Sequence, residues 1–305
     1  MANLLYPAST GHNVDDKYSP LVEPNLFAGN VLVPGLTFTD KYMIGPAGQI
    51  MVHKPGIGTV TATHPGADFS DAVVQDTLVT IALNKQYNRS RKIYGVTLAS
   101  VAYDQAATEL ELALQEVRAA WTLDGLRAIV QDVDVTIGTN ITTAANTDGS
   151  DIYNFIVADR QALREKKANP DTIIVSPSTY SKLLKAPEFQ RSVVTDDAVV
   201  RDAYVGRIAG LNVFEYEDLS SVIANGGKIG PTASAITWVS STDELEYIIY
   251  DHDALSIVTS VEAVRVSENP HQFIGVSAQV QIVSGFKLTN GSRALIKIHD
   301  ASAGS

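Results

Sequence analysis

The sequence specifies an α+β protein, and three features carry that reading. One long amphipathic pattern covers Ser100 to about Asp132. One strictly alternating strand pattern runs from Phe273 to Ile282. Between them, from 152 to about 250, helix and strand patterns follow one another at short intervals. A long helix over long antiparallel strands, joined to a compact mixed tract, is an α+β arrangement.

Residues 1 to about 40 read as an arm. The stretch "TGHNVDDKYSPLVEPNLFAGNVLVPGL" is rich in Pro, Gly and Asn and has no sustained period. It cannot build a core of its own. The scattered Leu26, Phe27, Val31 and Leu32 imply that it docks on something larger. Residues 41–75 read as a ribbon, with Gly45, Gly48, Gly56, Gly58 and Gly66 punctuating strand-like pieces at Gln49–His53 and Gly58–Thr63. An isolated two-stranded ribbon is marginal in water, so it needs another surface, its own domain or a neighbouring copy. "TLVTIALNKQY", Thr77 to Tyr87, reads as a single strand.

In the long helix Tyr103, Ala107, Leu110, Leu114, Val117, Trp121 and Ala128 fall near one stripe, with a gap near Gly125. Asp104 suits its N-cap. The mixed tract holds a helix around Tyr153–Lys167, a strand at Thr172–Val175, a helix after Ser176-Pro177, and a strand at "GRIAGLNVFEYEDL". Further strands are predicted at "AITWVS" and "LEYIIY". In the last strand Ile274, Val276, Ala278, Val280 and Ile282 share one face, and "SIVTSVEAVRV", Ser256–Val266, is its antiparallel partner.

Composition excludes several function classes. The 305 residues are 45% apolar, too many for a disordered chain, and no stretch reaches the roughly 18 uninterrupted apolar residues of a membrane helix. The N-terminal "MANLLYPASTGHNVDDKYSP" has neither the basic start nor the apolar core of a signal peptide, so secretion is not expected. Without cysteine there are no disulfides, thiolate metal sites or cysteine nucleophiles. Acidic residues outnumber basic ones 34 to 23, a net charge of -11. Tight binding to nucleic-acid phosphates needs clustered Lys and Arg, so it is not expected.

A search for chemistry yields only weak candidates. The sequence has no G-x-S-x-G, H-E-x-x-H or phosphate-loop motif. Asn225–Gly230 contains Gly-Gly-Lys, but Ile229 stands where a phosphate loop needs a hydroxyl, and a surface turn explains it. His12, His53, His64, His252, His271 and His299 show no ligand spacing. His252 sits between Asp251 and Asp253, which suits a metal or a base, and equally a turn before Ala254. Asn146–Asp151 resembles half a calcium loop but puts Phe155 where a bidentate Glu is required. Asp132 and Asp134 form an acidic pair that reads as solvated at a helix end. Lys54 is either a reactive amine or a charge keeping a strand edge soluble. Ser176 after a strand invites comparison with a nucleophile, yet Ser176-Pro177 is complete helix-start chemistry. Expected catalytic, cofactor-binding and metal-ligating residues are therefore none, and no cofactor is expected.

The order of these elements, above all "PDTIIVSPSTYSKL" and "GRIAGLNVF" between the long helix and the final strand pair, resembles the major capsid proteins of tailed bacteriophages, the Hong Kong 97-like fold. The resemblance implies an N-arm at 1–40 and an extended E-loop at 41–75 lying across a neighbouring subunit. It implies a peripheral domain at 76–137 and 251–288 with a spine helix over about 104–132, and an axial domain at 138–250 and 289–305. It further implies a non-enzymatic subunit that self-assembles into hexamers and pentamers of an icosahedral shell around double-stranded DNA. Scaffolding and portal proteins, and in some relatives decoration proteins, would be its partners. Its place would be the virion, after assembly in the host cytoplasm. Some relatives carry about a hundred scaffolding residues ahead of the arm. This chain leaves no room for them, which implies a mature form or a separate scaffolding protein. Some relatives join a loop lysine to a neighbour's asparagine; Lys54 and Asn290 have the residue types but no motif for it. Two other readings stay open: an encapsulin-like nanocompartment shell, and an acidic cytosolic α/β enzyme or binding protein with a pocket of convergent polar groups.

Overall fold

The structure is a computed structural model and describes residues 31–41, 49–55, 76–94, 105–135, 141–142, 149–186, 204–223, 227–231, 236–237, 243–268 and 275–300. In chain order the elements begin with β1 (Gln49–Pro55), β2 (Asp76–Ala82), β3 (Lys85–Tyr94), α1 (Gln105–Asp132), β4 (Ile141–Thr142), α2 (Gly149–Glu165) and β5 (Thr172–Val175). Then come α3 (Pro177–Leu183), β6 (Tyr204–Ile208), β7 (Leu211–Glu215), β8 (Lys228–Ile229), β9 (Ile236–Thr237), β10 (Asp243–Tyr250), β11 (Leu255–Glu268), β12 (Gly275–Leu288) and β13 (Ala294–Asp300).

The alternating pattern at the C-terminal end becomes the middle of a three-stranded antiparallel sheet, β11-β12-β3. Opposite residues share a face, so Val280 and Ile282 of β12 stand on the same side as Arg89 and Tyr87 of β3. That side is roofed by the first half of α1, where Ala113 and Val117 pack on Val280 and Ile282. The predicted partnership of the two long strands is present, with Val264 opposite Val280.

The mixed tract forms a six-stranded sheet of order β4-β13-β10-β5-β7-β6, parallel at β13/β4 and β5/β7 and antiparallel elsewhere. Ile152, Ile156 and Leu163 of α2 and Leu183 of α3 cover one face, against Ile173, Val175, Val213, Tyr247, Ile249 and Leu295. The alternate residues Ile174, Phe214, Ile248 and Ile296 point to the other face and meet Leu126, Ile129, Val130 and Val133 of α1. A sheet buried on both sides needs continuous apolar strands, and "TIIV" of β5 is buried at all four positions.

α1 therefore serves two sheets. Its 28 residues span about 42 Å at 1.5 Å per residue. The first half is apolar on one stripe, whereas Gly125, Leu126, Ala128, Ile129 and Val130 are all buried, as expected of a helix enclosed by packing. The gap at Gly125 has a physical cause. A Cβ there would stand 2.5 Å from Leu32 Cδ1, so the missing side chain is a notch filled by Leu32.

Val31, Leu32 and Phe38 are buried in this chain's own core. Thr39 N–H donates to the Leu255 carbonyl at 2.9 Å and Ile257 N–H donates to the Thr39 carbonyl at 3.3 Å. Thr172 Oγ1 donates to the Leu36 carbonyl at 3.0 Å. The larger body that Val31 and Leu32 require is thus the subunit itself. Over 31–41 the expected arm is an internal strap rather than a segment in need of a neighbour. Leu26, Phe27 and the strand-like piece Gly58–Thr63 lie outside the described residues.

Two single strands of the sequence reading are each two strands. "TLVTIALNKQY" breaks after Ala82, where the chain leaves a ribbon with β1 and enters the three-stranded sheet as β3. Among the described residues the ribbon partner of β1 is β2, in register from Gln49 opposite Ala82 to Pro55 opposite Asp76. "GRIAGLNVFE" folds back at Ala209-Gly210, with φ of 48° and 80°, and Ile208 pairs with Leu211. Two positive φ values suit the two-residue hairpin turns that match strand twist. The usual Asn-Gly or Asp-Gly signal is replaced by Ala-Gly, which hid the turn.

Candidate assembly surfaces

The β1–β2 ribbon has an inner and an outer face. Ile81 on the inner face is buried, and Ile50, Val52 and Val79 beside it are half-buried. The outer face holds Met51, opposite Thr80, and Leu78, opposite His53. Met51 is 55% exposed and Leu78 53%. Among the described residues the ribbon forms a sheet of two strands only. Two strands with apolar residues on both faces are short of partners.

A second exposed apolar site lies on β11. This strand is the edge of its sheet, pairing only with β12 among the described residues apart from one bridge, Thr39 to Ser256. Val264 and Val266 stand on the α1 side of the sheet yet remain 51% and 50% exposed. A long edge with two bare valines is an association surface unless something covers it. The alternation of "EAVRV" places both on one face, the only sequence signal for this site; the ribbon residues had none beyond β propensity.

Between these surfaces α1 is fastened to β3 by charge. Arg91 reaches both Glu109 and Glu116, and Arg89 reaches Glu116. Tyr87 Oη donates to Asp124 Oδ2 at 2.7 Å, and Lys85 and Arg127 flank the same carboxylate at 3.5 and 3.2 Å. Burial raises the Asp124 carboxyl, but the Tyr87 hydrogen bond and the two cations outweigh it and hold the group below the ordinary carboxylate value of 3.8. A depressed folded value stabilises above the unfolded value and is lost as pH falls through the folded one. Acidification below about pH 4 should therefore free β3 from α1. Hydrogen exchange in β3 and α1 should rise there in the wild type, and in Asp124→Asn should already be raised at neutral pH.

The chemical candidates have structural roles. Ser176 is 6% exposed, its Oγ accepts from Thr179 N–H at 3.2 Å and donates to Thr179 Oγ1 at 3.0 Å. This is an N-cap in the expected place. Ser176→Ala should cost about 1 kcal/mol in urea unfolding. His252 pairs through Nδ1 with Asp171, whose Oδ1 also accepts His252 N–H at 3.0 Å. Asp171, Asp251 and His252 bring ligand atoms within 4.8 Å of one another. Their capacity is spent locally, since Asp251 accepts Asp253 N–H at 3.1 Å and lies 3.6 Å from Arg293, while Asp253 holds Lys41 at 2.6 Å. This cluster ties the strap to the turn between the two sheets.

Asp132 is no solvated acid. It takes Lys287 Nζ at 2.7 Å and Leu288 N–H at 3.4 Å, which anchors the end of α1 on β12, while Asp134 N–H donates to the Gly291 carbonyl at 3.1 Å. Lys228 and Ile229 form the short strand β8, paired with β9. Asn146–Asp148 lie outside the described residues; Gly149 opens α2, and Asp151 is exposed in its first turn, where a negative charge suits the helix dipole. Lys54 is exposed on β1, and Asn290 Oδ1 accepts Ser292 N–H at 3.4 Å. A surface groove of about 570 Å³ is lined by Asn88, Arg89, Ser90, Arg265, Gln279, Val280 and Gln281, with no carboxylate or histidine for acid–base work.

No family model and no curated protein matches the sequence. Solved structures do. The capsid of cyanophage P-SCSP1u aligns over 99% of this chain and 98% of its own, at TM-score 0.67 and 12% identity. The fold is the Hong Kong 97-like capsid fold. The acidic stable capsid structure of Helicobacter pylori bacteriophage KHP30 aligns over 93% of this chain and 94% of its own, at TM-score 0.63 and 8% identity. The capsid of an empty GTA particle aligns over 99% and 100%, at TM-score 0.56 and 14% identity. This capsid fold is the one the element order predicted, with α1 and the β11–β12 pair as its long members. Among the described residues no helix is long and apolar enough to cross a membrane.

Proposed function

We propose that this chain is the major subunit of a phage capsid, a non-enzymatic protein whose copies form hexamers and pentamers of a closed icosahedral shell around double-stranded DNA. The observation that carries the reading is end-to-end likeness to the cyanophage capsid, 99% of this chain on 98% of that one. The exposed outer face of the ribbon and the bare valines of β11 support it, because both lack cover among the described residues. In this reading 1–40 form the N-arm, with 31–40 strapped onto its own subunit, and 41–75 the E-loop, whose β1 pairs with β2 at the start of the peripheral domain. Residues 76–137 and 251–288 form the peripheral domain, and 138–250 with 289–305 the axial domain. The ribbon lies over a neighbouring copy, each subunit touches several others, and release requires several contacts to break at once. Scaffolding and portal proteins, and a decoration protein where one exists, are the further partners. The location is the virion, with assembly in the host cytoplasm.

Electron microscopy of the purified, expressed protein tests this. Closed shells or capsomer rings are expected, and a uniform population of single subunits would contradict it. The charge of -11 adds a second expectation. Binding of the subunit to duplex DNA should be weak and should vanish with modest salt. Tight binding that resists salt would show a basic DNA-facing surface instead.

A further inference from the structure

Lys297 is the one lysine among the described residues that is fully buried. It lies on β13, directly opposite Tyr247 of β10. Its Nζ is 3.5 Å from Asp159 Oδ2, with side-chain exposures of 0% for the lysine and 4% for the aspartate. Tyr247 Oη donates to the same Asp159 Oδ2 at 2.7 Å. One helical turn before Asp159, the ring of Phe155 stands 4.6 Å from the lysine Nζ. Ile152, Ile156, Ile249 and Leu295 belong to the same apolar cluster.

An ion pair is a poor occupant of such a place. Two charges withdrawn from water cost more to bury than their attraction returns unless the geometry is excellent. Moving one proton from the ammonium to the carboxylate removes both charges, and burial already pushes the Asp159 carboxyl upward. That transfer would set an amine beside a carboxylic acid, with a phenol hydrogen-bonded to the acid, in a site closed to solvent.

We propose that Lys297 and Asp159 condense into an intrachain isopeptide bond. The lysine Nζ lone pair attacks Asp159 Cγ, and the new C–N bond forms. The Tyr247 hydroxyl stabilises the oxygen that gathers negative charge in the tetrahedral intermediate. The C–O bond to the other carboxyl oxygen breaks, and that oxygen leaves as water with the acid proton and one proton from the amine. No oxidant, reductant or co-substrate is consumed. The product is a neutral amide that places no charge in the core, and exclusion of water opposes its hydrolysis. The bond joins α2 to β13 across 138 residues of sequence, clasping the last strand to the sheet. It stands whether or not the chain builds a shell.

Intact mass spectrometry of the folded full chain, followed by proteolysis, tests it. The wild-type chain should be lighter than its sequence mass by one water, and a branched peptide should join the α2 segment to the β13 segment through Lys297 and Asp159. Lys297→Arg and Asp159→Ala should each regain the full sequence mass, and Tyr247→Phe should form the bond more slowly. The wild-type mass decides the matter even if a variant fails to fold. A wild type at full sequence mass overturns the proposal. So does a water loss that persists in Asp159→Ala, which would place it elsewhere, for example at Asp148-Gly149.

Discussion

Replacing Met51 and Leu78 together with glutamate should leave a folded subunit that no longer forms shells. Both side chains are more than half exposed in the single subunit, so substitution there costs the isolated fold little. Covering them against a neighbour returns about 1 kcal/mol each, since about half of each side chain is left to bury. A glutamate in the same covered place must shed its water without a partner and costs several kcal/mol. In the proposed shell each copy makes the contact on its own account, so the penalty would recur around every ring. Thermal unfolding of the variant should match wild type within about 0.5 kcal/mol, while sedimentation should show small species only. Val264→Glu should act the same way if the β11 edge is also covered. Shells of normal yield from the double variant would show that the ribbon face stays in solvent.

Gly291→Val should strongly destabilise the subunit. A Cβ at position 291 would stand 2.3 Å from the carbonyl oxygen of Asp132 and 3.1 Å from the amide nitrogen of Asp134. Both are main-chain atoms at the end of α1, so neither can turn aside as a side chain would. The Gly291 carbonyl also accepts Asp134 N–H, and Asp132 holds Lys287 and Leu288 nearby. To make room, the end of α1 must leave the strand that it anchors. A cost of about 3 kcal/mol or more is expected, near the upper range for overpacking. Urea unfolding of the soluble fraction measures it, and a loss below about 1 kcal/mol would mean that this junction yields.

The parts of the fold that were legible in the sequence rest on periodicity. Val280 and Ile282 alternate because one face of β12 meets α1 and the other does not. Ser176-Pro177 announced the start of α3 because cap and N1 preferences are local. The parts that were illegible rest on contacts between distant residues. In the sequence Gly125 is only a gap in the apolar stripe, and the fold alone puts Leu32 in its notch. Asp132 looked solvated because Lys287 lies 155 residues away. Asp171 drew no notice until the fold set it beside His252. The candidate assembly surfaces are half legible. A glycine-punctuated ribbon pointed to a missing partner, but which strand completes it, and which side chains it leaves bare, depended on register.

The most direct measurement is a cryo-electron microscopy reconstruction of the particle formed by the purified chain. The account predicts a closed shell in which the ribbon of each copy lies on a neighbour, with Met51 and Leu78 covered. A particle whose ribbons fold back on their own subunits, or a preparation containing only solitary chains, would contradict it.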